Sequence, residues 1–123
     1  MNPSDLQRLV LDEMQKYLQG FEAPLPGTTL GTPWSRDKVA AELETMRALL
    51  VTPYEASYLC GDPPDALKNA AAQKKGWVVA ADGSYKLLFD PEAGDFVLVH
   101  ASQEGTLASW GIRCDASSTF LAR

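Results

Sequence analysis

Few side chains in this chain of 123 residues have the type and setting for chemistry. The single histidine, His100, falls at the end of an apolar run, 96–100. A general base needs a nucleophile or an orienting acid within hydrogen-bond reach, and no motif supplies either. A hydrogen-bonded histidine at a strand end accounts for it. Cys60-Gly61-Asp62-Pro63 sets a thiol just before a helix start, where a thiolate can be favoured, but Asp62 opposes that. Cys114 has Asp115 beside it in the same way. With no C-x-x-C spacing, both cysteines read as small buried hydrophobes rather than a redox or metal pair. Asp90, Glu92 and Asp95 crowd one segment, yet they lack the ligand order of a calcium loop, and Pro91 with Gly94 explains the stretch as a turn. Gly27-Thr28-Thr29-Leu30-Gly31-Thr32 imitates a phosphate loop only weakly, because no lysine follows it. The expectation is therefore no catalytic residue, no metal and no cofactor, and a binding protein rather than an enzyme.

Composition narrows the class further. Apolar residues make up 46% and charged residues 22%, an ordinary globular balance for one domain of residues 1–123. The net charge is −5, and Lys74-Lys75 is the only adjacent basic pair. Nucleic-acid binding normally needs a basic footprint, so none is expected. The apolar runs fall far short of the roughly 20 residues that span a bilayer, and the first residues lack a basic-then-apolar leader. A cytoplasmic, bacterial-type protein follows, without membrane contact.

The elements that must position any site come next. Ser4-Asp5-Leu6-Gln7 has the form of a capping box. Leu6, Leu9, Val10, Met14, Tyr17 and Leu18 follow at helical spacing, predicting a helix over about 4–19 with Gly20 closing it. Residues 21–34 are a Pro/Gly-rich loop, with Phe21, Leu25, Leu30 and Trp34 expected to tuck onto the body. A second helix, capped at Thr32 or Ser35, carries Val39, Ala40, Leu43, Met46, Leu49 and Leu50 and ends near Val51, before Pro53. Residues 53–60 fit a short helix or an edge strand; the alternation of Tyr54, Ala56 and Tyr58 favours the strand. Asp62-Pro63 opens a third helix, closed by Lys74-Lys75-Gly76. Residues 1–75 thus read as mainly helical.

Residues 76–113 read as an antiparallel meander, because the apolar runs 77–81, 85–89, 96–100 and 107–112 alternate with turn residues. Opposing Phe89 to Phe96 across the 90–95 turn also opposes Leu87 to Leu98 and Tyr85 to His100. One face then holds Trp77, Val79, Tyr85, Leu87, Phe89, Phe96, Leu98, Trp110 and Ile112. The other holds Val78, Ala80, Leu88, Val97, Val99 and Leu107, interrupted by Lys86, Ser109 and Arg113. That second face is too apolar to stand in water; the 21–34 loop or another chain is expected to cover it. Residues 114–123 suit a short turn capped by Asp115, with Phe120 and Leu121 folding back. The predicted class is α+β: a meander of four to five strands with two to three N-terminal helices packed on one face.

A small acidic protein with a half-apolar sheet face points to a protein-binding module, such as an immunity, antitoxin or adaptor protein that occludes a partner. Trp34, Tyr54 and Tyr58 are its candidate contacts. The alternative is a small-molecule-binding protein or minor enzyme with a pocket between helices and sheet, lined by Tyr85, His100 and Trp110. Homodimerisation through the second sheet face is compatible with both.

Overall fold

The computed structural model describes residues 2–22, 34–61 and 72–123. Its elements are α1 (Pro3–Gly20), α2 (Arg36–Ala48), β1 (Leu50–Cys60), β2 (Gln73–Asp82), β3 (Tyr85–Asp90), β4 (Asp95–Ala101), β5 (Leu107–Cys114) and α3 (Ala116–Leu121). The fold is α+β, with a five-stranded antiparallel meander and the N-terminal helix packed on it.

Local chemistry sets the helix ends. The first helix starts earlier than the Ser4 capping box implies: Pro3 occupies the first turn and the Asn2 side chain accepts from the Asp5 amide at 2.8 Å. Ser35 caps α2 by accepting from the Lys38 amide, and that helix stops at Ala48, where the chain turns into β1. Asp115 caps α3 through the Ser118 amide, and Phe120 is fully buried. The ambiguous 53–60 stretch is strand. The expected end of a third helix at Lys74-Lys75-Gly76 is corrected, because these residues lie in β2, paired with Tyr58, Ser57 and Ala56. Gly76 serves a sheet there: a Cβ on it would sit 2.8 Å from the Phe89 carbonyl oxygen. The rest of that helix, the phosphate-loop imitation at 27–32 and most of the Pro/Gly loop lie outside the described residues.

The β3–β4 register matches the sequence expectation, with Phe89 opposite Phe96, Leu87 opposite Leu98 and Tyr85 opposite His100. What the alternation does not convey is curvature. Irregular steps in the β1–β2, β2–β3 and β4–β5 ladders bend the strands, and β1 meets β5 in a short parallel contact of Leu59 with Ala108 and Cys60 with Ser109. The sheet closes into a barrel. Its second face becomes the interior, where Tyr58, Val78, Leu88, Val97 and Val99 pack with Val51, Ala56 and Leu107. Neither a loop nor a second chain is required to shelter those side chains; β1 does it.

The outer face carries the helices. Leu6, Val10 and Met14 of α1, Val39, Leu43 and Met46 of α2, and Phe120 of α3 pack on Val79, Leu87, Phe89, Phe96 and Leu98. Each such buried side chain contributes roughly 1.5–3 kcal/mol. Ala80 joins this core rather than the interior, because the β2–β3 ladder shifts between Val78 and Ala80 and turns it over. Trp110 and Ile112 leave it and are exposed.

Candidate functional site

The displacement of Trp110 begins in the backbone. In the β4–β5 ladder, Val97 pairs with Arg113 and Val99 with Ser109. Trp110, Gly111 and Ile112 are therefore opposed by Leu98 alone. The excess chain bulges, with Gly111 at φ +96°, a conformation that favours glycine. The Ser109 hydroxyl accepts from the Gly111 amide at 3.1 Å and steadies the turn.

The bulge brings together three residues that the sequence singled out. Tyr85 meets the His100 ring edge-on at 5.1 Å between centroids. His100 stacks on Trp110 at 5.6 Å, with the planes 24° apart. Tyr85 and His100 are half-buried, and Trp110 is 64% exposed. The column is thus rooted in the sheet and ends in solvent. Among the described residues, the depressions between α1 and the sheet are bounded by other side chains, Gln7, Val10, Leu11, Leu50, Val51 and Val79 in one case, and none of the three rings lines them. A depression of about 430 Å³ lies beside Trp110 instead, bounded by Cys60, Gly61, Ser109 and Arg113.

The other expected contacts are dispersed. Trp34 is exposed next to α2, with the Lys38 ammonium 5.2 Å from its ring centre. Tyr54 is exposed on β1, and its hydroxyl accepts from Lys86 Nζ at 3.3 Å. Tyr58 is only 1% exposed and belongs to the barrel interior, so it presents no contact surface. Both cysteines are exposed rather than buried, and Cys114 Sγ donates to Asp115 Oδ1 at 3.2 Å.

Sequence reasoning passed over a polar cluster at the other end of β5. Arg113 Nη2 donates to Asp90 Oδ2 at 2.6 Å and to Asp95 Oδ1 at 2.7 Å, while its Nε donates to Asp95 Oδ2 at 3.0 Å. The Tyr58 hydroxyl donates to Asp90 Oδ2 at 3.2 Å. The Glu92 and Ala93 amides donate to Asp90 Oδ1. Burial works to raise the Asp90 pKa, but Arg113, the two amides and Tyr58 together hold it below the usual carboxylate range. Burial pushes the Tyr58 phenol up. Bonding to Asp95 above all raises Arg113. The two aspartates that resemble a cation loop are thus engaged by a guanidinium, and among the described residues no cluster of three or more His, Cys, Asp or Glu is placed to hold a metal. The available signal was Arg113 itself, a charge interrupting an apolar face.

A comparable tie joins the termini. Glu13 Oε1 accepts from the Ala116 amide at 2.8 Å. Burial is the main reason its pKa lies above the ordinary value; the amide opposes that and the Asp115 charge adds to it. No family model matches the chain, and neither the curated proteins nor the solved structures contain a match to it. Among the described residues, no helix is long and apolar enough to cross a membrane.

Proposed function

We propose that this protein is a cytoplasmic protein-binding module that acts by occluding a partner, in the manner of an immunity, antitoxin or adaptor protein, and that Trp110 is the centre of its contact surface. The observation that carries this reading is the Tyr85–His100–Trp110 column. A mostly exposed indole stacks on His100, whose ring Tyr85 meets edge-on, beside a strand bulge at Gly111. Tryptophan and tyrosine dominate the energetics of protein interfaces, and an aromatic already held in place loses little freedom on binding. Ile112, exposed on the far side of Gly111, extends the apolar surface. The net charge of −5 favours a basic partner. The homodimer reading loses its main support, since the apolar face that motivated it is the barrel interior.

The test is affinity capture from the native host at low salt, with Trp110→Ala and Ile112→Ser variants alongside the parent protein. A stoichiometric partner lost on Trp110→Ala supports the reading. Recovery of no partner, or of one indifferent to Trp110 and Ile112, overturns it.

A further inference from the structure

The Tyr85–His100–Trp110 column has one fixed member and one looser one. His100 is paired on both sides, with Tyr85 of β3 and Ala108 of β5, so its backbone is set within the sheet. Trp110 lies on the bulge, next to Gly111 at φ +96°, and its side chain is 64% exposed. Among the described residues the only ring packed against the indole is the imidazole, 5.6 Å away and 24° from parallel. His100 is the sole histidine of the chain, and histidine is the side chain whose charge ordinarily changes between about pH 5 and 8. The indole face is electron-rich and attracts a cation lying within about 6 Å. Protonation of His100 therefore turns a stack of neutral rings into a cation against a π face. Tyr85 is the other ring beside it, edge-on at 5.1 Å. Charged side chains at adjoining positions are engaged elsewhere: Asp82, opposite Tyr85, with Arg123, and Lys86 with Tyr54. Among the described residues no charged side chain forms an ion pair with His100.

We infer that His100 is a pH-dependent seat for Trp110: its protonation draws the indole onto the imidazolium and orders the exposed surface, and its deprotonation loosens that surface. As regulation of binding, this rests on the reading of Trp110 as a contact surface. Half-burial of the ring works against the charge, but a half-exposed imidazolium keeps part of its hydration. A cation–π contact at a partly exposed site raises the ratio of seated to unseated indole about threefold. The sign follows from linkage: the added order is present below the imidazole's transition and is lost as the pH rises through it. A partner that needs the seated indole binds more tightly in mild acid by up to the same factor.

The test uses free, full-length, isotopically labelled protein, so its outcome does not depend on finding a partner. The Trp110 indole N–H signal is assigned by its loss in Trp110→Ala. Between about pH 8 and pH 5 this signal should move in a single step. Its heteronuclear NOE should rise in acid toward the value of the rigid backbone. The indoles of Trp34 and Trp77 should show no such step. His100→Phe keeps a ring against the indole without a titrating group, so the step should vanish and the NOE should be equal at both pH values. If a thermal melt shows that His100→Phe does not fold, His100→Gln takes its place with the same loss of the step. No step, a step shared by all three indoles, an NOE that is flat or falls in acid, or a step that persists without His100 would each overturn the inference. A clear step with no recoverable partner supports the seat and counts against the proposed function alone.

Discussion

Arg113 holds Asp90 and Asp95 with a single nitrogen, Nη2, at 2.6 and 2.7 Å. The two aspartates face one another across the β3–β4 ladder, and like charges in that position repel. The guanidinium converts this repulsion into a clasp between the last residue of β3, the first of β4 and the end of β5. Asp90 is buried, so removing Arg113 strands a carboxylate without its ion partner. Arg113→Met should lower the unfolding free energy by about 3 kcal/mol, measured by urea denaturation at neutral pH. A loss below about 1 kcal/mol, the scale of a surface pair, would show that the clasp contributes little.

The same carboxylate sets an acid limit. Asp90 titrates below its unfolded value, which is near ~3.9. Its stabilisation is therefore fully present above that pH and is lost as the pH falls through the lower folded value. Asp115, also held low by the Ser118 and Cys114 bonds despite burial, acts with the same sign. Stability measured from neutral pH into acid should fall below about pH 4, and Asp90→Asn should flatten that fall. An unchanged slope in the variant would locate acid sensitivity elsewhere.

Glu13 has the opposite sign. Its folded pKa is raised, so the contribution of its protonation is present below the unfolded value and is lost as the pH rises through the folded one. At neutral pH the ionised side chain is therefore under strain from burial and from Asp115. Glu13→Gln keeps an oxygen for the Ala116 amide and removes the charge. The variant should melt slightly higher than the parent at neutral pH, and the gap should close in acid. A lower melting point at neutral pH would mean that the charge on the Ala116 amide outweighs its burial.

Two glycines separate packing from propensity. Gly76→Ala forces a Cβ to 2.8 Å from backbone that cannot retreat and should destabilise by about 1–3 kcal/mol. Gly20→Ala, at the last residue of α1 with open space around it, should stabilise by about 0.5 kcal/mol through the unfolded chain. Thermal melts of both variants check the pair, and equal effects would contradict the close approach at Gly76.

Trp110→Ala should alter stability by less than about 1 kcal/mol, because the side chain is mostly in solvent. A loss of several kcal/mol would make the column a piece of core rather than a presented surface. Calorimetric melting distinguishes the two before any partner is in hand.

The meander was legible in the sequence because turn residues punctuate it, and the 90–95 turn pins Phe89 to Phe96. The strand character of 53–60 showed in the alternation of its tyrosines. Barrel closure did not show, because alternation marks which side chains share a face but not whether that face looks onto water, helices or the opposite wall. Ala80 was misplaced because the β2–β3 ladder slips by one residue between Val78 and Ala80, and counting by twos carries that error forward. Trp110 keeps the expected side, where its ring stacks on His100, but the bulge at Gly111 leaves it in solvent rather than in the core. Of the candidate residues, Tyr85 and His100 were paired correctly, and the bulge then carried Trp110 out beside them. Arg113 and Asp90 pair through tertiary geometry that spacing does not encode.

The parallel contact of Leu59 with Ala108 joins the first strand to the last. Hairpins β2–β3, β3–β4 and β4–β5 link neighbours in sequence and close short loops, whereas this contact must wait for nearly the whole sheet to be in place. Seating β1 against β5 should therefore come late in folding, at the largest entropic cost. The same junction is the natural place for the closed wall to breathe, and its amides should exchange with solvent before those at the centre of the meander.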